Sequence, residues 1–261
     1  MTMTSARPAP GRTAKSGLLH ETWEIVKTIA IALLVALVLR VFLFQPFTIP
    51  SASMEPTLLE GDYIIVSKFA YGYSRHSAPF SPPVLEGRVL ARQPKRGDIV
   101  VFKLPRDGRT DYIKRLVGLP GDRIQVREGA VYVNGEAVNR AAAGQGVAQS
   151  PFGIERPVDR YRETLDNGRS YITHDLGPDG EVDNTDVYVV PAGHFFMMGD
   201  NRDNSVDSRY PPEFGVGFVP FENLVGKAEM ILFSWNAEAS LFQPWTWFSE
   251  VRPSRFFTQL K

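Results

Sequence analysis

The longest apolar stretch of the chain lies near its N-terminus, at residues 25–44. Residues 28–39 within it carry no charge, and Lys27 and Arg40 stand at the two ends of that uncharged part. In a helix at about 1.5 Å per residue, the whole stretch is about as long as the ~30 Å hydrocarbon core of a bilayer is thick. The pattern predicts one transmembrane anchor over residues 23–44.

An uncharged segment of this length also occurs in signal peptides that are cleaved off, which is the alternative to an anchor. The apolar residues continue past Arg40 to Phe44, and the long Arg40 side chain can reach the membrane interface. Ser51 and Ser53 form a small-x-small pair of the kind found at cleavage sites, but they lie well past the apolar core. The sequence therefore favours a retained anchor over a removed signal peptide.

Basic residues set the expected orientation of this anchor. They stand before the uncharged part of the apolar stretch, at Arg7, Arg12, Lys15 and Lys27. Basic residues that flank a membrane span favour the cytoplasmic side. We therefore expect a disordered cytoplasmic tail at 1–22, a single pass through the cytoplasmic (inner) membrane, and the remaining chain on the outer, periplasmic side.

From residue 48 to the end, short apolar runs are separated by Gly, Pro, Asn and Asp, a pattern typical of β-strands. Asn134 and Gly135, between two such runs, form the dipeptide most typical of a tight hairpin. The runs predict strands at residues 63–66, 98–102, 112–117, 123–126, 187–190, 195–198 and 228–233. The fold class predicted for the chain behind the anchor is therefore mainly β.

Two polar segments interrupt the predicted strands. Residues 129–186 are polar and in places Gly-rich or acidic, and we interpret them as a β-rich subdomain inserted into one β-sheet core. The two halves of that core are then residues 45–128 and 187–261. Residues 74–93 contain several prolines and predict a projecting loop or a long hairpin.

Aromatic residues crowd the C-terminal part of the chain. They are Trp235, Phe242, Trp245, Trp247, Phe248, Phe256 and Phe257. Tryptophan is enriched at membrane interfaces, and an anchored domain lies beside one. The same residues can equally pack within the fold, and the sequence leaves both interpretations open.

Charge, cysteine and histidine content exclude several classes of function. Lys plus Arg and Asp plus Glu number 29 each, so the charge balance gives no support for nucleic-acid binding. The chain has no cysteine, which excludes disulfides, thiol nucleophiles and thiolate metal sites. Its four histidines do not stand at the spacing of zinc ligands. We therefore expect neither a metal nor another cofactor.

Two residues suggest nucleophilic catalysis. Ser53 lies on a short polar turn directly after the apolar stretch, and a serine hydroxyl needs a base to become a good nucleophile. Lys114 lies within a predicted apolar strand, where burial can lower the pKa of a lysine toward neutrality. In a strand Lys114 shares a face with Leu116, whereas Arg115 faces the other side and is left solvated or salt-bridged. Most strand lysines are surface charges, so the pattern alone does not settle the role of Lys114.

Three stretches together resemble the bacterial type I signal peptidases. They are Ile49 to Asp62 around Ser53, then Arg96 to Phe102 with Asp111 to Asp122 around Lys114, and the acidic loop Gly199 to Arg209. They occur in the expected order behind an apolar segment. The resemblance implies a signal-peptidase-like β-sheet catalytic core and an enzyme that removes signal peptides by a serine/lysine mechanism.

The resemblance also assigns roles to single residues. It makes Ser53 the nucleophile and Lys114 the general base. Ser51 would donate a hydroxyl to the oxyanion hole, together with the backbone N–H of Ser53. Ser205 would hydrogen-bond the lysine ammonium and orient it. The supporting pair would be Asp207 and Arg209, which hold the acidic loop in place.

Substrates and partners follow from the same resemblance. Shallow pockets for small side chains would be lined by Phe47, Ile49, Met54, Leu58, Tyr112 and Ile113, although several of these can be core residues instead. Shallow pockets accept small-x-small sites because larger side chains clash. The implied partners are exported preproteins with signal peptides, the lipid bilayer and the nearby secretion translocon.

Other functions make different demands on the chain. A Ser-His-Asp hydrolase would need Ser53 to meet His174 or His194, with an acid such as Asp200 nearby. The acidic loop departs from the ligand pattern of an EF-hand calcium loop. A catalytically inactive anchored β-domain that binds exported proteins needs no dyad, and a self-cleaving repressor needs a DNA-binding region. The presence of every side chain that the dyad requires favours the peptidase.

Overall fold

The computed structural model describes residues 14–77, 81, 87–149, 155–177, 179–236 and 250–260. The chain forms two compact units, Met1–Arg40 and Val41–Lys261. The first described element is helix α1, Ala14–Phe42, and its segment His20–Arg40 is long and apolar enough to cross a membrane. That segment is unburied, as expected for side chains that face lipid. The predicted N-terminal apolar helix is therefore confirmed.

Helix α1 ends two residues before the predicted end of the anchor, and Phe44 already belongs to a strand. The physical reason is Pro46, which lacks the N–H that a helix requires. Proline also favours an extended conformation at the residue before it, here Gln45. The chain therefore changes from helix to strand at 43, one residue before the apolar stretch ends.

The described strands are antiparallel and fall into three sheets. Their bounds are β1 Phe44–Thr48, β2 Asp62–Ser67, β3 Ile99–Lys103, β4 Asp111–Gly118, β5 Arg123–Arg127, β6 Ala130–Val133, β7 Glu136–Ala137, β8 Asn139–Gln149, β9 Glu155–Thr164, β10 Ser170–Asp175, β11 Tyr188–Val189, β12 His194–Met198, β13 Val219–Pro220, β14 Leu224–Ser234 and β15 Thr258–Gln259. The predicted mainly β class is confirmed.

The largest sheet carries the strands that place Ser53 and Lys114. Its order is β1-β2-β14-β3-β4-β12-β13, with β15 added to β14. Both faces of this sheet are covered, since β3 turns Ile99 and Val101 into one apolar cluster and Val100 and Phe102 into another. Because both faces are covered along 99–102 of β3 and 114–118 of β4, a polar side chain in those parts is desolvated whichever way it points.

The other two sheets lie in the middle of the chain. β5, β6, β7 and β11 form a four-stranded sheet in the order β11-β5-β6-β7. Asn134 and Gly135 join β6 to β7 with φ of 55° and 90°, as the predicted tight hairpin requires. β8, β9 and β10 form a separate three-stranded sheet. The boundary predicted at residue 129 therefore runs through the first of these sheets, and the second lies wholly inside the predicted insertion.

Two predicted features fall partly outside the described residues. Tyr73 and Val89 form an antiparallel bridge, so the segment at 74–93 leaves and re-enters the fold at adjacent points. Among the C-terminal aromatics, Trp235 lies edge-on to Phe233, and Phe257 is exposed. Four others lie outside the described residues, namely Phe242, Trp245, Trp247 and Phe248.

Candidate active site

The turn after β1 presents Ser53 beside Lys114. Ser53 lies in a one-turn 3-10 helix, Ala52–Met54, which the buried Met54 side chain fixes to the core. Lys114 is in the middle of β4, and its Nζ lies 2.7 Å from Ser53 Oγ. The structure therefore brings the predicted nucleophile and the predicted base into direct hydrogen-bond contact, although they are 61 residues apart in sequence.

Burial changes the acid–base chemistry of Lys114. The side chain is 4% exposed, and its Nζ also donates to the Ile113 carbonyl at 3.0 Å. Loss of hydration disfavours the ammonium and lowers the pKa of Lys114 to about 8, against the opposing attraction of Asp207 and Asp200. A lysine with this pKa is neutral in an appreciable fraction of molecules near pH 7, and the neutral amine can accept a proton.

The Ser51 hydroxyl lies on the same turn as the nucleophile. Ser51 is exposed, and its Oγ is 3.3 Å from Ser53 Oγ. A hydroxyl at this distance can turn its proton toward an oxygen that binds next to Ser53. The predicted position of Ser51 beside the nucleophile is thus observed, with an open approach from solvent.

The acidic loop at 199–209 holds the nucleophile turn from behind. The Asn201 backbone N–H donates to the Ser53 carbonyl at 3.2 Å, and its side-chain Nδ2 donates to the Ala52 carbonyl at 3.1 Å. A Cβ at Gly199 would lie 2.5 Å from the Ser53 carbonyl oxygen and 2.2 Å from Ser205 Oγ. Only glycine allows the two segments to approach this closely.

Asp207 and Arg209 form a buried ion pair inside this loop. Arg209 donates from Nε and one Nη to the Asp207 carboxylate at 2.9 Å each, and the Gly199 N–H donates to the same carboxylate at 3.0 Å. Burial alone would raise the pKa of Asp207, but Arg209 and these donors hold it below its ordinary value. The observed contacts match the supporting role that the sequence assigns to both residues.

Arg115 is buried and salt-bridged rather than solvated. Its Nε and Nη2 atoms each donate to the Asp200 carboxylate at 2.7 Å, and its guanidinium lies 3.9 Å from the centre of the Tyr171 ring. Thr57 donates to the same carboxylate at 2.5 Å. Of the two alternatives open for Arg115, the salt bridge is therefore correct, because both faces of the sheet are covered.

Ser205 departs from its predicted contact. Its Oγ is buried and has no hydrogen-bond partner among the described residues, so the predicted bond to Lys114 is not formed. Lys114 Nζ makes two hydrogen bonds, to Ser53 and to the Ile113 carbonyl, although an ammonium can make three. Ser205 nevertheless lies in the site, since its Oγ faces the Cα of Gly199 close to Ser53.

The residues predicted to line substrate pockets divide into two groups. Met54 and Leu58 expose none of their surface and Ile49 exposes 2%, so these three are core residues in this structure. Their apolar neighbours fill the space between β1, β2 and β3, which the sequence alone does not show. The half-buried members, which can touch a bound peptide, are Phe47, Tyr112 and Ile113.

The histidines do not contact the nucleophile in the described structure. His174 accepts a hydrogen bond from Arg160 Nε at 3.2 Å, and its backbone N–H donates to the Asp200 carbonyl. His194 lies next to the Ala192 carbonyl, at 2.9 Å. The Ser-His-Asp arrangement is therefore not formed, and the arginines on Asp200 and Asp207 already occupy carboxylates that a calcium ion would need.

Sequence reasoning missed the residues that join the acidic loop to the rest of the site. In the sequence, Asn201 and Gly199 are simply members of the acidic loop, and Thr57 is a member of the stretch around Ser53. Nothing there indicates which groups they contact. The signal that could have found them is the many Asp, Asn and Ser residues in this one loop, which lies next to a buried strand. Such side chains readily form hydrogen bonds to backbone groups. Their partners lie too far away in sequence for spacing to reveal.

The chain is similar to proteins of one family. A sequence profile described as signal peptidase, peptidase S26, matches residues 22–235. The signal peptidase I of Rickettsia typhi is 42% identical over 245 residues, which cover 87% of this chain and 89% of that protein. The signal peptidase I of Rickettsia prowazekii is 42% identical over 250 residues, covering 88% and 91%. A crystal structure of a signal peptidase I from Enterococcus faecalis V583 is 26% identical and covers 52% of this chain and 97% of its own, with a TM-score of 0.30.

Proposed function

Because the chain belongs to the signal peptidase family, peptidase S26, we propose that it is a membrane-anchored serine endopeptidase that uses a Ser53/Lys114 dyad. Its substrates are exported preproteins, from which it removes the N-terminal signal peptide. The observation that carries the proposal is the 2.7 Å contact between Ser53 Oγ and a buried lysine whose pKa is lowered to about 8. A serine and a base in this relation form an activated nucleophile.

The reaction begins with proton transfer from Ser53 Oγ to the neutral Nζ of Lys114. The serine oxygen attacks the scissile carbonyl carbon, and the carbonyl oxygen becomes an oxyanion. The Ser51 hydroxyl and the Ser53 backbone N–H stabilise that negative charge, each by about 3 kcal/mol if they match other oxyanion donors. The Lys114 ammonium then protonates the leaving amine, the mature protein departs, and the signal peptide stays bound to Ser53 as an ester.

The second half of the reaction returns the enzyme to its starting state. Lys114, neutral again, takes a proton from a water molecule as that water attacks the ester carbonyl. When the tetrahedral intermediate collapses, the Ser53 oxygen leaves and recovers a proton from the Lys114 ammonium. The signal peptide is released with a free carboxylate, and no cofactor is consumed.

Ser205 orients the Lys114 ammonium in this proposal. The hydroxyl of Ser205 has an unused acceptor, and Lys114 has one donor beyond its bonds to Ser53 and Ile113. Because Ser205 Oγ makes no hydrogen bond among the described residues, turning it toward Lys114 breaks none of them. Asp207 and Arg209 act further away, by fixing the loop that carries Ser205.

Substrate selection rests on the half-buried side chains beside the dyad. Phe47, Tyr112 and Ile113 line shallow pockets that admit small side chains at the first and third positions before the cleaved bond. The anchor spans the cytoplasmic (inner) membrane once with its N-terminus in the cytoplasm, which places the site on the periplasmic side near the secretion translocon. The 129–186 insertion shares the β11-β5-β6-β7 sheet with the core and carries the three-stranded sheet β10-β9-β8.

The test compares the full chain in detergent with Ser53→Ala and with Ser234→Ala, using a preprotein that carries an Ala-x-Ala site. Ser234 is also a buried serine but lies at the end of β14, so its variant controls for loss of a buried hydroxyl. We expect cleavage after the second alanine by wild type and Ser234→Ala, and none by Ser53→Ala. Cleavage by Ser53→Ala would refute the assignment of Ser53 as the nucleophile. Binding of the preprotein without cleavage by any variant, all folded, would favour an inactive binding domain instead.

A further inference from the structure

A cavity of about 520 Å³ lies between the nucleophile side of the core and the three-stranded sheet β10-β9-β8. Pro56 and Thr57 form its core side, and Gln259 of β15 reaches it from the C-terminus. The opposite wall includes Arg160 and Arg162, which stand two residues apart on β9. Residues at this spacing share one face of a strand, about 7 Å apart, so both side chains enter the same space.

The cavity carries uncompensated positive charge. Arg115 also lines it, but Asp200 already neutralises that guanidinium. Among the described residues, neither Arg160 nor Arg162 is in an ion pair, and the cavity is lined by no carboxylate. The acids next to the two arginines on β9 are Asp159 and Glu163, and both face the other side of the strand. Gln145 donates to Asp159 there, and Arg202 pairs with Glu163.

Local structure holds the Arg160 guanidinium in place. Its Nε donates to His174 Nε2 at 3.2 Å, which leaves both Nη groups available to the cavity. A Cβ at Gly146 would lie 2.3 Å from that Nε, so the guanidinium rests directly on the backbone of β8. A bulge in β8 between Ala142 and Gln145 opens the wall opposite Arg160. The arginine is therefore preorganised before any ligand arrives.

A second cavity, of about 490 Å³, is lined by an arginine that already pairs with carboxylates of the protein. Arg96 lines it, and that guanidinium is paired with Asp122 at 2.8 Å and with Asp166 at 3.2 Å. Glu136 adds a further carboxylate to the same wall. The charge there is satisfied within the protein, whereas Arg160 and Arg162 form no ion pair among the described residues.

We propose that the cavity between Thr57 and the Arg160/Arg162 pair binds a phosphate-type oxyanion. Two guanidinium forks on one wall suit the several acceptor oxygens of a phosphate, which takes bidentate hydrogen bonds. Ser170 and Gln259 line the same cavity, and the Gln259 side chain can add a neutral donor. The exposed Ser170 hydroxyl can do so only where it accepts, rather than donates, in its 2.7 Å bond to Thr164. The phosphate can be free or belong to the headgroup of an anionic lipid, since the chain is anchored in a membrane.

The first experiment measures inorganic phosphate binding to the full chain in nonionic detergent by titration calorimetry. We compare wild type with Arg160→Gln, Arg162→Gln and Arg156→Gln, the last an exposed arginine on β9 that does not line the cavity. Each cavity variant should bind phosphate about tenfold more weakly, because a charge-assisted hydrogen bond is lost, and Arg156→Gln should bind as wild type does. Equal affinity in all four proteins, or no binding to any, would overturn the proposal.

A second pair of variants separates the planar, two-pronged geometry of the Arg160 guanidinium from its charge. Arg160→Lys keeps the charge but not the fork, and should also lose affinity. Gly146→Ala keeps both arginines but displaces the Arg160 guanidinium, so it should weaken phosphate binding while Arg162 is untouched. Thermal unfolding of each variant establishes that it is folded. Wild-type affinity in the folded Gly146→Ala protein would refute the preorganised Arg160.

The source of the phosphate is resolved by native mass spectrometry of the full chain released from micelles that contain phosphatidylglycerol or phosphatidylcholine. Retention of phosphatidylglycerol by wild type, with loss in Arg160→Gln, identifies a lipid headgroup. Phosphate binding without retained lipid identifies a free ion. Binding of an acidic peptide in place of both would overturn the phosphate assignment. None of these measurements depends on peptidase activity, so they stand or fall separately from the dyad.

Discussion

Lys114 and Arg115 are neighbours on β4, both are almost fully buried, and burial has opposite outcomes for them. No carboxylate among the described residues forms an ion pair with Lys114, and burial lowers its pKa to about 8. Burial alone would also lower the pKa of Arg115, but the two bonds to Asp200 raise it above its ordinary value. A buried cation therefore becomes a usable base only where no carboxylate pairs with it, because its pKa is then lowered. Where a carboxylate does pair with it, the cation stays charged and stabilises the structure.

The largest expected effect on activity comes from Lys114, which forms no ion pair among the described residues. Lys114→Met should lower the rate of preprotein cleavage by at least about 10³-fold, since the general base and the proton donor are both lost. Stability should not fall, because methionine fills a similar volume and no charge remains to be buried. Single-turnover cleavage and chemical denaturation measure the two quantities, with Lys103→Met as the control for a lysine that pairs with Asp111 near the surface. Undiminished cleavage would remove lysine from the mechanism.

The opposite response is expected of the paired cation. Arg115→Met leaves the Asp200 carboxylate buried without its counter-ion, which should cost about 3–5 kcal/mol in the free energy of unfolding. The double variant Arg115→Met with Asp200→Leu should recover much of that loss, because no uncompensated charge is left. Chemical denaturation of the two singles and the double variant measures the coupling. Equal losses in single and double variants would show that Arg115 acts through packing on Tyr171 rather than through charge.

The pH dependence separates the two residues further. The folded-state pKa of Lys114, about 8, lies below the ordinary value of 10.5, so between these values the unfolded chain holds the extra proton. Stability from this group therefore rises with pH across that window, and below it the buried ammonium costs about 3 kcal/mol. The gap in unfolding free energy between wild type and Lys114→Met should shrink from about pH 7 to about pH 10.

The rate of cleavage should depend on the same titration of Lys114. Only the neutral amine can accept the Ser53 proton, so kcat/KM should rise about tenfold per pH unit below an apparent pKa near 8 and level off above it. A profile without a basic ascending limb would contradict the assignment of Lys114 as the base.

The smallest expected effect comes from the serine beside the dyad. Ser205→Ala should lower kcat about tenfold if it removes one hydrogen bond to the ammonium, with KM unchanged. Because that bond favours the charged lysine, its loss should also shift the ascending limb of the pH profile to lower pH. Ser234→Ala is the matched control, since its hydroxyl is also buried without a partner among the described residues. Identical profiles for both variants would leave Ser205 a purely structural residue.

Sequence reasoning reached the anchor, most strands of the large sheet and the dyad, for identifiable reasons. Strands β2, β3, β4 and β12 differ from the predicted apolar runs by at most about one residue at either end. The roles of Ser53 and Lys114 come from the resemblance of the stretches around them to one family, because the strand pattern alone leaves Lys114 open. The turn Asn134-Gly135 was found because its conformation is demanded by the two residues themselves.

What sequence could not show depends on distant pairing or on two-sided burial. β8 and β9 carry polar and charged residues on both faces, so no apolar alternation marks them. Met54 and Leu58 are ordinary apolar residues in a turn, and only the packed structure shows that they belong to the core rather than to a pocket. The bond between Asp200 and Arg115 joins residues 85 positions apart, beyond the reach of any spacing rule.

The hold of Asn201 on the turn of Ser53 has a consequence for how the molecule acquires activity. Ser53 and Lys114 leave the ribosome early, but the amide that fixes the turn comes 149 residues after Ala52. A nascent chain therefore carries both reactive groups from residue 114 until residue 201 has been made, without the contact that fixes the turn of Ser53. The turn that carries Ser53 is therefore fixed beside Lys114 only after the acidic loop has been made and has folded against it.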